Sequence, residues 1–168
     1  MRFYYIDDDY INYLRKAESL ISDNKSCTRP YVGIIIQVNQ IDFYVPLSSP
    51  KAKHKNMNNS KDFRKINGGQ YGVINLNLMI PAPTNVVHEI DFSSIQDYKY
   101  RRLLQNQYKC IKQDWQNITN AAQNLYNLYL KDDKLLDDND LNVKKRCCNF
   151  TLLINYADKY SLNDKSTT

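Results

Sequence analysis

The chain has 168 residues, 42% of them hydrophobic, with a formal net charge of +5. That is enough for one domain with its own core, and too apolar for a disordered chain. No apolar run approaches the roughly 20 residues that cross a bilayer, and the start MRFYYIDDDY lacks the apolar stretch of a secretory signal, so a cytoplasmic protein with no membrane contact is expected.

RFYYI reads as a first strand and DDDYINYLRKAESLI as a helix. Asp7 is placed to cap that helix, and Asp8 and Asp9 suit the positive end of its dipole. Tyr10, Tyr13, Leu14, Ala17 and Ile21 share one face. Capping accounts for the three aspartates more simply than a metal site does. YVGIIIQV and IDFYVPL are β-branched and aromatic runs around Asn39-Gln40, the pattern of a hairpin. A hydrophilic basic loop follows from Ser48. DFRKI is a short strand, Asn67-Gly68-Gly69 a turn, YGVINLNLMI a further strand ended by Pro81 and Pro83, and NVVHEIDF a last strand.

The remainder is helical. Tyr100, Leu103, Leu104, Tyr108, Ile111, Trp115, Ile118 and Ala122 recur at helical spacing and continue through Leu125 and Leu128, with a break expected near Thr119. The acidic stretch 131–141 reads as an exposed connection. Asn149 is placed to cap a final helix with Phe150, Leu153, Ile154, Ala157 and Tyr160 as its stripe. Runs of strands followed by helices give an α+β fold, a twisted antiparallel sheet with helices packed on it, in a single domain over residues 1–168.

Cys27, Cys110, Cys147 and Cys148 contain no C-x-x-C pair and read as reduced thiols. A zinc site would need ligands from distant segments, with only His54 and His88 to offer imidazoles, so no metal or cofactor is expected.

The charge is concentrated. Between residues 51 and 65 lie Lys51, Lys53, Lys55, Lys61, Arg64 and Lys65 against Asp62 alone. A solvated turn is the plain reading of such a loop. Ser48-Ser49-Pro50-Lys51 also fits the S-x-x-K signature of penicillin-recognising acyl enzymes. That reading fails, because Ser22-Asp23-Asn24 precedes the motif instead of following it and no K-T-G is present. The remaining reading is RNA cleavage, in which the substrate's 2′-OH attacks the adjacent phosphorus. The protein must then help remove a proton, stabilise charge on the five-coordinate phosphorus and help the 5′-oxygen leave. Hydroxyls and cations at the end of a rigid strand suit the second task.

The blocks FYYI…YINYL, RPYVGIII, YVPLSSPKAKHK, YGVINLNLMIP, YRRLLQNQYKCIK and CNFTLL occur in this order. Together they closely resemble the type III toxin–antitoxin endoribonucleases of the ToxN, AbiQ and CptN group, nearest the CptN branch, from about residue 2 to about 160. The resemblance implies a compact, highly twisted sheet surrounded by helices, similar to the Kid and MazF toxins. It implies metal-independent, sequence-preferring cleavage of cellular or phage RNA. It also implies a small repeated pseudoknot RNA as antitoxin, closed rings of alternating toxin and RNA, and a role in abortive phage infection or locus maintenance. Residue by residue, the family's hydroxyl–Ser–Pro–Lys motif falls on Ser48, Ser49, Pro50 and Lys51. Its basic residue before the VGI strand falls on Arg29, and its early-helix tyrosine on Tyr10. Some relatives carry Lys where Arg29 stands; a guanidinium stays charged, so this position supplies charge and not a base. The resemblance thus gives Ser48, Ser49, Lys51, Arg29 and Tyr10 as catalytic candidates. Lys53, His54, Lys55, Lys61 and Arg64 are expected RNA contacts, with His54 also chemically able to act as acid or base. A non-catalytic RNA-binding module using the 51–65 loop is the alternative.

Overall fold

A computed structural model describes residues 1–21 and 32–165. It contains β1 (Phe3–Ile6), α1 (Asp8–Arg15), β2 (Gly33–Val38), β3 (Ile41–Ser48), α2 (Ala52–Asn56), β4 (Phe63–Lys65), β5 (Val73–Asn75), β6 (Ile80–Pro81), β7 (Val87–Glu89), α3 (Tyr98–Gln113), α4 (Trp115–Leu130), α5 (Asp138–Lys145) and α6 (Phe150–Lys165). The fold is α+β, as the sequence pattern indicates.

The strands pair antiparallel in the order β4-β5-β3-β2-β1-β7, with β6 also on β3. β3 is the spine. It pairs with β2 along most of its length, from Val38↔Ile41 to Gly33↔Pro46. Its other edge is shared. β6 takes the start, Phe43↔Pro81 and Tyr44↔Ile80, and β5 takes the end, Leu47↔Ile74 and Ser48↔Val73. β4 extends this second ladder, with Arg64↔Ile74 and Lys65↔Val73.

The hairpin forms where β-branched residues cluster. Ile34, Ile36, Val38, Phe43, Tyr44 and Val45 are all buried. α4 packs on β2 and α6 on β6. Phe43 meets Tyr126 of α4 and Phe150 of α6 at ring centroid distances of 5.6 and 6.1 Å, so one ring joins sheet and both helices. Asn149 caps α6 as expected, its Oδ1 accepting from Leu152 N at 3.0 Å. Cys110, Cys147 and Cys148 are free thiols, and burial pushes those of Cys147 and Cys148 up to about 12. No described helix is long and apolar enough to cross a membrane.

Four local expectations are corrected. YGVINLNLMI is not one strand: a 3-10 turn at Leu76–Leu78 divides β5 from β6, which lets β3 hold both on one edge. The long helix breaks at Asp114, not near Thr119; Asp114 adopts φ −101°, ψ 14° and serves as C-cap of α3 and N-cap of α4. The acidic stretch is more than a connection, since it holds a 3-10 turn at Asp133–Leu135 and the start of α5. Asp7 occupies the N-cap position of α1, but its carboxylate bonds His88 Nε2 at 2.7 Å instead of the helix.

Candidate active site at the end of β3

Ser48 is the last residue of β3, held in register opposite Val73. Its side chain is fixed as well: Asn75 Nδ2 donates to Ser48 Oγ at 2.8 Å, and also lies 3.3 Å from the Pro46 carbonyl. The turn before β5 presses on the same point. A Cβ on Gly72, which sits at φ +95°, would lie 1.9 Å from the Ser48 carbonyl oxygen. Only glycine lets the two backbones approach so closely. Ser49, Pro50 and Lys51 then leave the sheet into solvent, all exposed.

The basic segment is not an open loop. Lys51 is the N-cap of the short helix α2, and His54 closes that turn. Lys51 N donates to His54 Nδ1 at 3.3 Å, and His54 N donates to the Lys51 carbonyl at 3.0 Å. The imidazole plays the part that Glu or Gln plays in a capping box. A ring nitrogen that accepts must be unprotonated, so this bond requires the neutral Nε2–H tautomer. Burial and the neighbouring charges of Lys51 and Lys53 push the His54 pKa below its ordinary 6.5, which favours that form. A Cβ on Gly69 would lie 2.5 Å from the His54 carbonyl oxygen, so the same glycine turn braces both ends of the motif. His54 is 4% exposed. It is therefore poorly placed for the RNA contact expected of it, and holds the backbone of Lys51 instead.

The remaining candidates divide. Lys53 and Lys55 are exposed on α2 beside the motif. Lys65 joins them, its Nζ donating to the Lys55 carbonyl at 3.3 Å. Lys61 is bound to Asp140 of α5 at 2.5 Å, and Arg64 lies 4.0 Å from Asp114. In the β3-β5-β4 ladder Ser48, Val73 and Lys65 form one row and Leu47, Ile74 and Arg64 the next. Successive residues on a strand face opposite ways. Arg64 thus leaves the sheet on the face away from the Ser48 side chain, toward the helices.

Tyr10 is not brought to the motif. It is fully buried, its hydroxyl donates to the Pro81 carbonyl at 2.7 Å, and its ring meets Tyr160 at 4.9 Å. Burial raises its pKa far above the ordinary tyrosine value. Pro81 lies opposite Phe43, five residues along β3 from Ser48, a separation of roughly 16 Å at about 3.3 Å per residue. Arg29 lies outside the described residues. Asn75, Gly69 and Gly72 were missed. The glycines stood in plain view in NGGQYG, whereas Asn75 had no signal beyond being polar within an apolar run.

A family described as toxin ToxN of the type III toxin–antitoxin system matches residues 2–158. The chain belongs to the ToxN family. Among its relatives, the endoribonuclease ToxN of Bacillus thuringiensis subsp. kurstaki is 31% identical over 98% of this chain and 87% of its own length. The endoribonuclease ToxN of Pectobacterium atrosepticum is 28% identical over 91% and 90%. The endoribonuclease AbiQ of Lactococcus lactis subsp. lactis is 27% identical over 96% and 90%. These similarities place the chain in the ToxN family and not specifically in its CptN branch. A solved type III toxin, selectively inhibited by a non-coding RNA pseudoknot, superposes with a TM-score of 0.80 at 30% identity, over 95% of this chain and 97% of its own. A second, from an antiviral system regulated by a processed non-coding RNA, gives 0.76 at 28%, over 94% and 98%.

Proposed function

We propose that the chain is an endoribonuclease toxin that cleaves RNA at the end of β3, using the substrate's own 2′-OH and no metal ion. The observation that carries this reading is the pinned motif. Ser48 is fixed by Asn75 and Gly72, and Lys51 by His54, while Ser49 and Lys51 stand exposed between them. Pre-organised donors and cations act most strongly where charge develops in the transition state. Lys51 supplies positive charge to the phosphorane and Ser49 a hydrogen bond to a phosphate oxygen. Ser48 orients the strand end. Arg29 adds a second cation, a role that rests on the sequence alone. Lys53, Lys55 and Lys65 hold the flanking phosphates. Cleavage leaves a 2′,3′-cyclic phosphate upstream and a 5′-hydroxyl downstream.

The natural inhibitor on this reading is a small repeated pseudoknot RNA, which the toxin processes and with which it alternates in a closed assembly. The support is family membership and the RNA-regulated proteins of the same fold. The outcome for the cell is growth arrest that limits phage or maintains the locus.

The test is digestion of long single-stranded RNA in EDTA, with the fragment ends read by mass spectrometry. Cyclic phosphate and 5′-hydroxyl ends are expected. Activity that vanishes in EDTA would overturn the mechanism, and a mobility shift without fragments would leave an RNA-binding module. For the inhibitor, the repeat RNA and a mutant unable to form the pseudoknot are compared at fixed salt. Equal inhibition by both would reject a folded antitoxin.

A further inference from the structure

On the helix side of β4 lies a cleft of about 750 Å³, a volume in the range of ligand sites. Its floor is apolar, formed by Ala121, Leu125 and Leu128 of α4. Its rim is polar. Asn124, Asn127 and Lys131 follow one another at helical spacing on the exposed side of α4, and Asn59, Lys61 and Arg64 face them from the β4 side. Nothing described engages the side chains of Asn124 or Lys131. Asn127 Oδ1 accepts from Gln123, which leaves its amide nitrogen unspent. Among the described residues Arg64 is held only by a 4.0 Å ion pair, too long for a hydrogen bond, and its buried Nε has no acceptor there. The carboxylate in the cleft, that of Asp140, is already neutralised by Lys61.

We propose that this cleft is a second RNA subsite, taking one unstacked base of the single strand on its apolar floor and the attached phosphate on Arg64 and Lys131. The amides supply both donors and acceptors, and an asparagine side chain can bond two edge atoms of an adenine at once. Splayed bases of single-stranded RNA are commonly read in this way. The excess of cations over carboxylate favours a polyanion. The position fits a strand already bound at the motif. Arg64 shares a row with Leu47 across β5, two strand spacings or about 10 Å away, on the face opposite the Ser48 side chain. A strand leaving Ser48 reaches the cleft by passing over the exposed turn at residues 57–61 that borders β4. Only a substrate long enough to round that edge can use the site.

The inference rests on the RNA reading above, and its test separates the two. The probes are 2′-O-methyl single strands, which resist 2′-OH attack, of about twelve and about four nucleotides. Anisotropy is measured with the full chain and with an Asn124→Ala/Lys131→Ala variant, the first residue exposed on α4 and the second exposed at its C-cap. The variant is expected to bind the twelve-mer about tenfold more weakly and the four-mer unchanged, with an unaltered melting temperature. A twelve-mer carrying 4-thiouridine is expected to cross-link to residues 124–131 of the unmodified chain. Equal binding of the twelve-mer by both proteins, or cross-links confined to residues 48–55, would overturn the subsite. Adenosine monophosphate binding the cleft as tightly as the twelve-mer would make it a free-nucleotide site and also overturn the proposal. Failure of the cleavage reading is visible elsewhere, as unmodified RNA left intact, and does not alter these binding arms.

Discussion

Single substitutions at the motif should have separable effects. Lys51→Ala should leave the melting temperature unchanged and lower the cleavage rate by about 10²–10³, the usual loss when one pre-organised stabiliser goes. Asn75→Ala removes the donor on Ser48 Oγ. It should cost about 1 kcal/mol in urea unfolding and, by loosening the strand end, slow cleavage by about tenfold to a hundredfold. His54 makes a pH prediction. Unfolded, it takes its proton near 6.5; folded, only at lower pH, because burial and then Lys51 and Lys53 oppose the charge. The unfolded chain therefore binds more protons in that window, and stability rises with pH. The contribution is complete above 6.5 and is lost as pH falls through the folded value. Urea midpoints measured from neutral pH down to pH 5 should fall more for the unmodified chain than for His54→Gln. Parallel curves would show that His54 does not carry this pH dependence. Lys51 and Ser49 stood out as candidates because the resemblance rests on the hydroxyl–Ser–Pro–Lys order itself. His54 was not. Amid lysines it reads as surface, and its burial comes from a turn some fifteen residues on, at Gly69.

Among the elements, β3 was readable and its edge was not. β-Branched and aromatic runs announce the β2–β3 hairpin, but nothing local tells YGVINLNLMI to break at Leu76–Leu78. The break is a tertiary decision: β3 offers two separate stretches of edge, and one continuous strand could not satisfy both. The α3–α4 junction is similar, since the apolar period runs on through Asp114 while the backbone does not. Two element-level predictions follow from the braces around the motif. Gly72→Ala places a Cβ against the Ser48 carbonyl at a left-handed φ, so it should destabilise by more than about 1 kcal/mol and reduce cleavage in whatever protein still folds. Asp62 accepts from Arg146 Nε at 2.9 Å and Nη2 at 3.1 Å, tying the turn before β4 to the end of α5. Burial opposes its charge, but the bonds from Arg146 and Ser60 outweigh it and hold the carboxyl below the usual range. Asp62→Ala should cost about 2 kcal/mol, a charged hydrogen-bond loss moderated by the half-exposed guanidinium, read as a lowered urea midpoint.

At the scale of the whole molecule, the sheet gives the toxin two distinct faces near one edge. One presents the motif with Lys53, Lys55 and Lys65; the other presents Arg64 to the helices. RNA affinity should fall as salt rises, with a log–log slope of about −0.7 for each phosphate neutralised on a single strand. Lys53→Ala should reduce that slope by about the same amount. The identity of the nucleophile decides the mechanism. An RNA with one cleavage site is prepared twice, once with ordinary ribose and once with a 2′-deoxy nucleotide immediately upstream of the scissile phosphate, and both are incubated with the chain in EDTA. The ordinary strand should be cut at that phosphate and the deoxy strand should remain whole there. Equal cutting of the two would show that the attacking oxygen is not the 2′-OH, and would contradict the mechanism at its centre.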